Sequence, residues 1–171
     1  MNYKIKKITS LKDADKIAEI IGVSLDEGDF PYKTKTRESY KKISDKKFFR
    51  KFLKVKKHVI LGAYENDKLV ACIVLRSEDG GVIFAEWLVV VKKYRGEGIG
   101  SALLQRTEKW ALKHKLHYIY LFTETEANRE FYSKRGFQYV GTQRNSWFGE
   151  NEHIFEKSLR DNPFEEIFKR I

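Results

Sequence analysis

The chain has 171 residues, a length typical of one globular domain with enough interior for a hydrophobic core. Hydrophobic residues make up 42% of the sequence and aromatic residues 14%, which argues against a disordered chain. The formal net charge of +10 favours acidic partners such as nucleic acid, a membrane surface or a polyphosphate cofactor. The lysines are scattered along the whole chain, as on an ordinary solvated surface, so charge alone selects none of these partners.

The sequence contains one cysteine, Cys72, which excludes an internal disulfide and a multi-cysteine zinc site. Cys72 lies in an apolar run, which predicts a buried structural thiol rather than a nucleophile. No histidine pair has the spacing of metal ligands, so we expect no metal site. No apolar stretch approaches the roughly 20 residues that span a bilayer, and the N-terminus lacks the apolar core of a signal peptide. We therefore expect a soluble cytoplasmic protein.

The first third of the chain predicts a strand followed by two helices. Residues 3–8 alternate apolar and basic side chains, as a half-buried strand does. After Ser10, apolar residues recur at helical spacing as far as Ile21. Residues 22–35 are polar and predict a loop, and residues 36–53 predict a second helix with aromatic side chains on its inner face.

The remaining two thirds predict a sheet with two further helices. The predicted strands are residues 58–64, 69–75, 82–91, 117–122, 137–141 and 152–159, and the predicted helices are residues 99–114 and 127–134. Residues 161–171 could add one short helix. The order β-α-α-β-β-β-α-β-α-β-β predicts a single mixed α/β domain of the α+β kind, with a largely antiparallel sheet flanked by helices.

The strongest functional signal is a glycine-rich turn between the predicted strand at residues 82–91 and the predicted helix that begins at residue 99. Glycines at 96, 98 and 100 leave the backbone open to close approach by a ligand. The helix that follows presents its positive dipole end to the same place. This combination predicts a site for a phosphate-bearing ligand.

Two nucleotide templates fit the turn poorly. A Walker A loop requires a lysine after its last glycine, and none follows Gly100. A dinucleotide fingerprint that starts at Gly96 would place Ser101 where glycine or alanine is needed. Glu124 does follow at the end of the next strand, as that fingerprint requires, but too little chain remains for a doubly wound sheet.

A third template, R/Q-x-x-G-x-G/A, is satisfied by Arg95, Gly98 and Gly100. A second motif, F-Y-S-K-R-G-F at residues 131–137, places Tyr132 four residues ahead of a Gly-Phe pair. With both motifs, separated by one helix and one strand, the chain resembles the GNAT-type N-acetyltransferases. The resemblance is strongest over residues 85–141, and the predicted element order fits the family fold throughout, with residues 82–142 as the cofactor-binding core.

The resemblance implies that acetyl-CoA, the acyl donor, lies between two parallel strands that splay apart, here residues 82–91 and 117–122. The pantetheine arm would pair with strand backbone, and the pyrophosphate would bind the amides of the turn. The implied cofactor-binding residues are Leu88, Val89, Val90, Arg95, Gly96, Glu97, Gly98, Ile99, Gly100, Ser101, Asn128 and Tyr132. Relatives often have an asparagine where this chain has Thr125, and Asn128 is the alternative contact.

The implied reaction is direct attack of a neutral primary amine on the thioester within a ternary complex. Tyr132 occupies the family's usual position for the acid that protonates the leaving thiolate, and its ordinary pKa keeps it protonated at neutral pH. The backbone N–H of Val90 would stabilise the oxyanion. Glu86 is the predicted base, with Glu124 and Glu126 as alternatives. Strand alternation predicts Glu86 on the same face as Leu88 and Val90.

The acceptor is expected between residues 22–35 and 144–152. The acidic residues there would favour a cationic amine, and the aromatic ones would pack on an apolar stem, although acidic loops can also just balance a basic surface. The acidic residues are Asp26, Glu27, Asp29, Glu150 and Glu152, and the aromatic ones are Phe30, Tyr32, Trp147 and Phe148.

Two alternative functions remain open at the level of sequence. A basic nucleic-acid-binding domain would use residues 40–57, where lysines alternate with phenylalanines, but those phenylalanines recur at core spacing. A non-catalytic sensor of acyl-CoA would share the whole fold. The expected partners are therefore a CoA thioester and an amine, with nucleic acid less favoured and no membrane, for a monomer or a homodimer.

Overall fold

The computed structural model describes residues 3–27 and 30–170, with residues 126, 127 and 170 described by their backbone alone. The strands are β1 (Lys4–Ile8), β2 (His58–Glu65), β3 (Lys68–Ser77), β4 (Val82–Val90), β5 (Tyr118–Thr123), β6 (Gln138–Gln143) and β7 (Glu152–Ser158). The α-helices are α1 (Ala14–Asp26), α2 (Thr34–Ile43), α3 (Lys46–Phe52), α4 (Ile99–Lys113) and α5 (Glu126–Ser133). Asp29 and Ile171 lie outside the described residues.

One seven-stranded sheet runs through the molecule in the order β1-β2-β3-β4-β5-β7-β6. The pairing of β4 with β5 is parallel and every other pairing is antiparallel. That parallel pairing is short, because it joins only Val82–Phe84 to Tyr118–Tyr120. Beyond Phe84 the two strands part, and an opening remains between them. The predicted mixed α/β fold with a largely antiparallel sheet is confirmed.

Helices cover both faces of the sheet. The apolar side chains of α4 and α5, among them Leu103 and Tyr132, pack on one face in a core that includes Ile73 and Ile119. The apolar side chains of α1, α2 and α3 pack on the opposite face with Cys72, Val74 and others. Cys72 is fully buried, as its apolar neighbours in the sequence predict. Strands β3 and β4 are therefore buried on both sides, which explains their nearly continuous apolar sequence.

Two predictions for the first third of the chain are wrong. The loop predicted at residues 22–35 is helical at its start, because α1 continues through Gly22 to Asp26. Gly22 is tolerated there, although glycine weakens a helix, because the apolar spacing of α1 continues to the fully buried Leu25. The single helix predicted at residues 36–53 is two helices, because Asp45 accepts a hydrogen bond of 2.8 Å from the Phe48 amide and starts α3 as its N-cap.

The other predicted bounds differ from the observed ones by at most two residues, except at the two ends of the chain. After Ser10, a short 3-10 turn (Leu11–Asp13) precedes α1. The predicted C-terminal helix is a 3-10 helix (Glu165–Arg170), which places the buried Ile167 beside Gly81. Within residues 3–27 and 30–170, no helix has both the length and the apolar character needed to cross a bilayer.

Candidate active site

A cleft with a volume of about 690 Å³ opens where β4 and β5 part. Its walls include the second half of β4, the glycine turn with the start of α4, the end of β5, helix α5, the segment that leads into α2, and the start of β7. A splayed pair of strands leaves backbone amides and carbonyls unpaired inside the sheet. The cleft thus combines strand backbone, a helix N-terminus and side chains from both faces of the sheet.

A β-bulge in β4 determines which way Glu86 points. Val74 lies opposite Trp87 and Leu75 lies opposite Ala85, so Glu86 is an extra residue with no partner position on β3. After the bulge, Leu88 packs with the α4 core and Trp87 with the core of α1–α3.

The ion pair of Glu86 identifies its face. Leu75 of β3 packs in the α4 core, so the next residue, Arg76, points to the opposite face, which α1–α3 cover. Because Arg76 binds Glu86, both charged side chains lie on the α1–α3 face. The prediction that Glu86 shares a face with Leu88 and Val90 is therefore wrong, because the bulge breaks the alternation.

The Glu86 carboxylate is bound by a permanent cation. Nη2 of Arg76 lies 2.9 Å from each of the two carboxylate oxygens. Burial raises the pKa of Glu86, and the charge and hydrogen bonds of Arg76 oppose that rise. Since Arg76 occupies both oxygens, the carboxylate is oriented within the cleft wall.

The glycine turn has the backbone shape that its sequence predicts. Gly96 and Gly98 have φ values of 79° and 78°, in the left-handed region that L side chains avoid. Gly98 is the N-cap of α4, and within the described chain no side chain caps that helix end. The first amides of α4 therefore face the cleft with a favourable dipole and are available to an anion.

Arg95 ties the turn to the end of β4. Its Nε donates a hydrogen bond of 2.9 Å to the Val90 carbonyl, and its Nη2 lies 3.4 Å from Glu27 at the end of α1. The neighbouring Tyr94 donates a hydrogen bond of 2.8 Å to Glu65. These contacts hold the turn against β4 and β2, so its amides are positioned before any ligand arrives.

The start of α4 is joined to α5 by a stacked arginine. Nε of Arg135 donates a 2.8 Å hydrogen bond to the Ser101 hydroxyl, and its guanidinium lies 3.6 Å from the centre of the Phe131 ring. Phe131 in turn lies so close to Gly100 that a Cβ there would be 3.3 Å from its Cζ. A larger residue at position 100 would therefore force the Phe131 ring to shift, whereas Gly96 and Gly98 are favoured by their φ values.

Tyr132 is buried in the cleft wall, between the Phe137 and Phe155 rings on its inner side. Burial raises its pKa, and the negative charge of Glu124 adds to that rise. The hydroxyl therefore stays protonated at neutral pH, as a proton donor must.

Helix α5 begins with a side-chain cap. The Thr125 hydroxyl accepts a 3.1 Å hydrogen bond from the backbone N–H of Asn128, which satisfies one of the unpaired backbone amides of the first turn. Thr125 thus has a structural role in this chain as the N-cap of α5. Both Thr125 and Asn128 line the cleft.

The far side of the cleft carries carboxylates and tyrosines. The Tyr32 hydroxyl donates a hydrogen bond to Glu124, and burial is the main cause that raises the pKa of Glu124 to about 7. Glu152 accepts a hydrogen bond of 3.1 Å from Ser146, and burial raises its pKa as well. This side of the cleft therefore concentrates negative charge in a poorly hydrated place.

Aromatic rings support these acidic groups. Tyr32 stacks between Phe30 and Tyr40, with ring centres 5.4 Å and 4.9 Å away, and the edge of Trp87 meets both of those outer rings. Aromatic faces beside carboxylates are a common environment for alkylammonium groups.

Most of the predicted cofactor-binding residues and fewer than half of the predicted acceptor residues line this one cleft. The predicted cofactor-binding residues do so except Glu97, which is exposed. Of the predicted acceptor residues, Phe30, Tyr32, Trp147 and Glu152 line it, whereas Asp26 and Glu27 pair with Lys41 and Arg95 instead.

The remaining acceptor residues and two missed ones complete the site. Glu150 accepts a hydrogen bond of 3.1 Å from Thr36, and Phe148 packs edge-on against Tyr40. Sequence reasoning missed Tyr40 and Arg76. The position of Arg76 on a strand adjacent to Glu86 was the available signal, because opposite charges on neighbouring strands often pair.

Comparison with known proteins assigns this architecture to a family. The sequence profile described as the Acetyltransferase (GNAT) family matches residues 20–137. Streptothricin acetyltransferase of Escherichia coli is 30% identical over 131 residues, which cover 73% of this chain and 71% of the relative.

Solved structures share the fold. PaiA N-acetyltransferase from Thermoplasma acidophilum, solved in complex with coenzyme A, superposes with a TM-score of 0.81 at 22% identity, over 92% of this chain and 99% of that one. An aminoglycoside 6'-acetyltransferase type Ii has a TM-score of 0.73 at 21% identity, over 94% and 99% of the two chains. Acetyl-CoA is the acyl donor typical of the matched family. The chain belongs to the GNAT acetyltransferase family.

Proposed function

We propose that this protein transfers an acetyl group from acetyl-CoA to a primary amine by direct attack within a ternary complex. One observation carries the proposal. The same cleft contains the uncapped amides at the start of α4 and the buried, protonated Tyr132. The first feature suits a pyrophosphate and the second suits a leaving thiolate, so one ligand with both groups fits the cleft. The family membership supports the same donor.

The donor would lie along β4 where that strand has left β5. The cleft-facing backbone groups of the segment Leu88–Val90 would pair with the pantetheine amides as an added strand would. The pyrophosphate would bind the amides of residues 95–101, which the contacts of Arg95 and Arg135 hold in position. Asn128 lies on the α5 side of the same cleft, where it is available to the arm.

Besides a base for the amine, the acetyl transfer uses two groups of this chain. The amine nitrogen attacks the carbonyl carbon of the thioester, and the developing oxyanion accepts a hydrogen bond from the Val90 amide. When the C–S bond breaks, the thiolate takes a proton from Tyr132. Glu86, the base predicted from the sequence, lies in the cleft wall with both oxygens on Arg76, an arrangement that favours a role in positioning the acceptor.

The charge on the far side of the cleft favours a cationic acceptor. Glu124, Glu150 and Glu152 lie near Tyr32 and Tyr40. Burial is the largest cause that raises the pKa of Tyr40, and the negative charges of the three glutamates raise it further. A protonated amine would relieve this accumulation of negative charge. The names of the similar proteins specify streptothricin and aminoglycosides as acceptors, so the family does not by itself select one amine.

The proposal is tested by measuring CoA release from acetyl-CoA with a panel of amines: n-butylamine, spermidine, lysine amide and kanamycin. Tyr132→Phe should lower kcat by about 100-fold or more while acetyl-CoA affinity stays unchanged, since general acid catalysis contributes about 10²–10⁴-fold. Tyr118→Phe is the matched control, because Tyr118 bonds Glu156 away from the cleft. Undiminished turnover in Tyr132→Phe would exclude Tyr132 as the acid, and no CoA release by the wild type with any of the four amines would refute the function.

Neither alternative function has a specific observation in its favour. A sensor would bind CoA, with a rise in Tm, and show no turnover with the panel. A nucleic-acid-binding surface at residues 40–57 would need exposed aromatic rings, whereas Tyr40, Phe49 and Phe52 are each at most 5% exposed. We therefore regard the described chain as one catalytic domain.

A further inference from the structure

The proposed reaction requires a group that removes a proton from the acceptor amine, because an alkylammonium has no lone pair for attack. Glu86 and Glu124 are two carboxyl groups in the cleft whose environments differ sharply. The inference below rests on the proposed function and concerns which of the two accepts that proton.

Arg76 opposes the uptake of a proton by Glu86, although burial outweighs Arg76 and leaves the pKa of Glu86 raised. Its two oxygens are both 2.9 Å from Nη2 of Arg76, a cation that stays charged throughout the accessible pH range. Protonation of Glu86 would weaken both of these charge-assisted hydrogen bonds and leave the Arg76 charge half-buried without a partner. The pair is therefore a structural element of the cleft wall.

Glu124 has a neutral partner instead of a cation. It follows the last residue of β5, directly opposite the part of β4 that has separated from that strand. Its Oε1 accepts a hydrogen bond from the Tyr32 hydroxyl. Burial and the charge of Glu124 itself raise the pKa of Tyr32, so Tyr32 remains a donor that stabilises the charged carboxylate and does not neutralise it.

The groups that face Glu124 come from every element around it. They are Tyr32 before α2, Tyr40 on α2, Tyr132 on α5, Glu150 just before β7, and Glu152 on β7. Burial, Glu152 and Glu150 raise the pKa of Glu124, while Tyr32 and a backbone hydrogen bond lower it, with a resulting value of about 7. A base is most effective when its pKa lies near the working pH.

We infer that Glu124 is the general base, which takes a proton from the acceptor ammonium, and that Tyr32 orients its carboxylate for this step. One N–H bond of the ammonium breaks and its proton forms an O–H bond on Glu124. The freed lone pair forms the C–N bond to the acetyl carbon, and the C–S bond breaks. The nitrogen then loses a second proton, which reprotonates Tyr132 after Tyr132 has given its own proton to the thiolate. The products are the N-acetylamine, CoA thiol and one proton, which leaves Glu124 for solvent.

Glu124→Gln tests the inference through the dependence of kcat/KM on pH, measured with n-butylamine. In the wild type, kcat/KM should rise up to about pH 7, where Glu124 ionises, and then level off because Glu124 deprotonates bound ammonium. In Glu124→Gln, kcat/KM at pH 7 should be lower than in the wild type by at least about 100-fold. It should then rise about tenfold per pH unit up to pH 9, since only free amine reacts. Glu156→Gln is the matched control, because it removes a carboxylate bonded to Tyr118 outside the cleft.

Two further measurements separate a base from a merely structural residue. With 2,2,2-trifluoroethylamine, which is largely neutral at pH 7, Glu124→Gln and the wild type should differ by less than about threefold, because no proton need be removed before attack. Tyr32→Phe removes a hydrogen bond that lowers the pKa of Glu124, so the rise of kcat/KM should move to higher pH. Acetyl-CoA affinity should be unchanged in both variants.

The possible failures are distinguishable. If no panel amine is acetylated by the wild type, the proposed function fails and the role of Glu124 with it. If the wild type is active and Glu124→Gln keeps the wild-type pH profile, or loses equal activity with both amines, Glu124 is not the base. If Glu86→Gln instead abolishes the levelling near pH 7, Glu86 accepts the proton and the inference is overturned.

Discussion

Replacing Gly98 with alanine tests whether the glycine turn depends on its left-handed backbone. Gly98 has φ +78°, and a Cβ built there meets no atom within 4 Å, so no steric clash with neighbours is expected. The cost is the conformational one, about 1–2 kcal/mol for an L residue in the left-handed region. At about 2–4 °C per kcal/mol for a chain of this size, Tm should fall by about 2–8 °C.

Gly22→Ala is a control with the same chemical change and equally open surroundings. Gly22 lies inside α1, and a Cβ there also meets nothing within 4 Å. Its φ is in the ordinary helical range, so alanine should stabilise the protein by about 0.5–1 kcal/mol and raise Tm by about 1–4 °C.

Thermal unfolding followed by circular dichroism, with and without CoA, measures both variants. Binding of CoA should raise the Tm of the wild type and of Gly22→Ala, and should raise that of Gly98→Ala less, because the turn amides are displaced. Shifts of Tm in the same direction for both variants would refute the assignment of the Gly98 effect to its backbone conformation.

Three further perturbations probe the cleft wall and the core. Arg76→Ala should leave the Glu86 carboxylate buried without its cation and raise the pKa of Glu86 further. A folded-state pKa above the unfolded value favours folding of the protonated form, so the loss of stability in urea unfolding should be largest near pH 8 and should shrink as the pH falls towards 5. A loss of stability that is independent of pH would contradict this. Phe49→Ala should cost about 3–5 kcal/mol in urea unfolding, because Phe49 of α3 is fully buried in the core that it shares with α1. A loss below about 1 kcal/mol would mean that the site collapses around the smaller side chain. Cys72, whose pKa burial raises to about 12, should resist iodoacetamide at pH 8 until urea unfolds the protein, and rapid labelling of the native form would show local opening of the sheet.

Local sequence patterns predicted most of the fold because the relevant forces act over a few residues. The apolar runs of β3 and β4, the helical spacing of α4 and the glycines of the turn each specify their own element. The two errors in the helical region have equally local causes. The N-cap at Asp45 ended one predicted helix early, and the buried Leu25 extended another past Gly22.

The candidate site was predicted in part for the same reason. Residues 95–101 are consecutive, so the order of residue types alone predicts a site for a phosphate-bearing ligand there. The orientation of Glu86 was not, because the extra residue in β4 is defined only by its register against β3. The contact between Tyr32 and Glu124, which are 92 residues apart, has no local signal.

The sequence by itself determined the proposed donor side of the cleft: a strand, a glycine turn with two left-handed positions and a helix N-terminus, all within one continuous stretch. Tertiary structure alone decided the proposed acceptor side. The bulge turned Glu86 towards Arg76, and the fold brought Tyr32 before α2, Glu124 after β5 and Glu152 on β7 to one cleft. The physical reason is that backbone conformation is set by neighbours in the chain, whereas burial and the charges that perturb a carboxyl group come from distant segments.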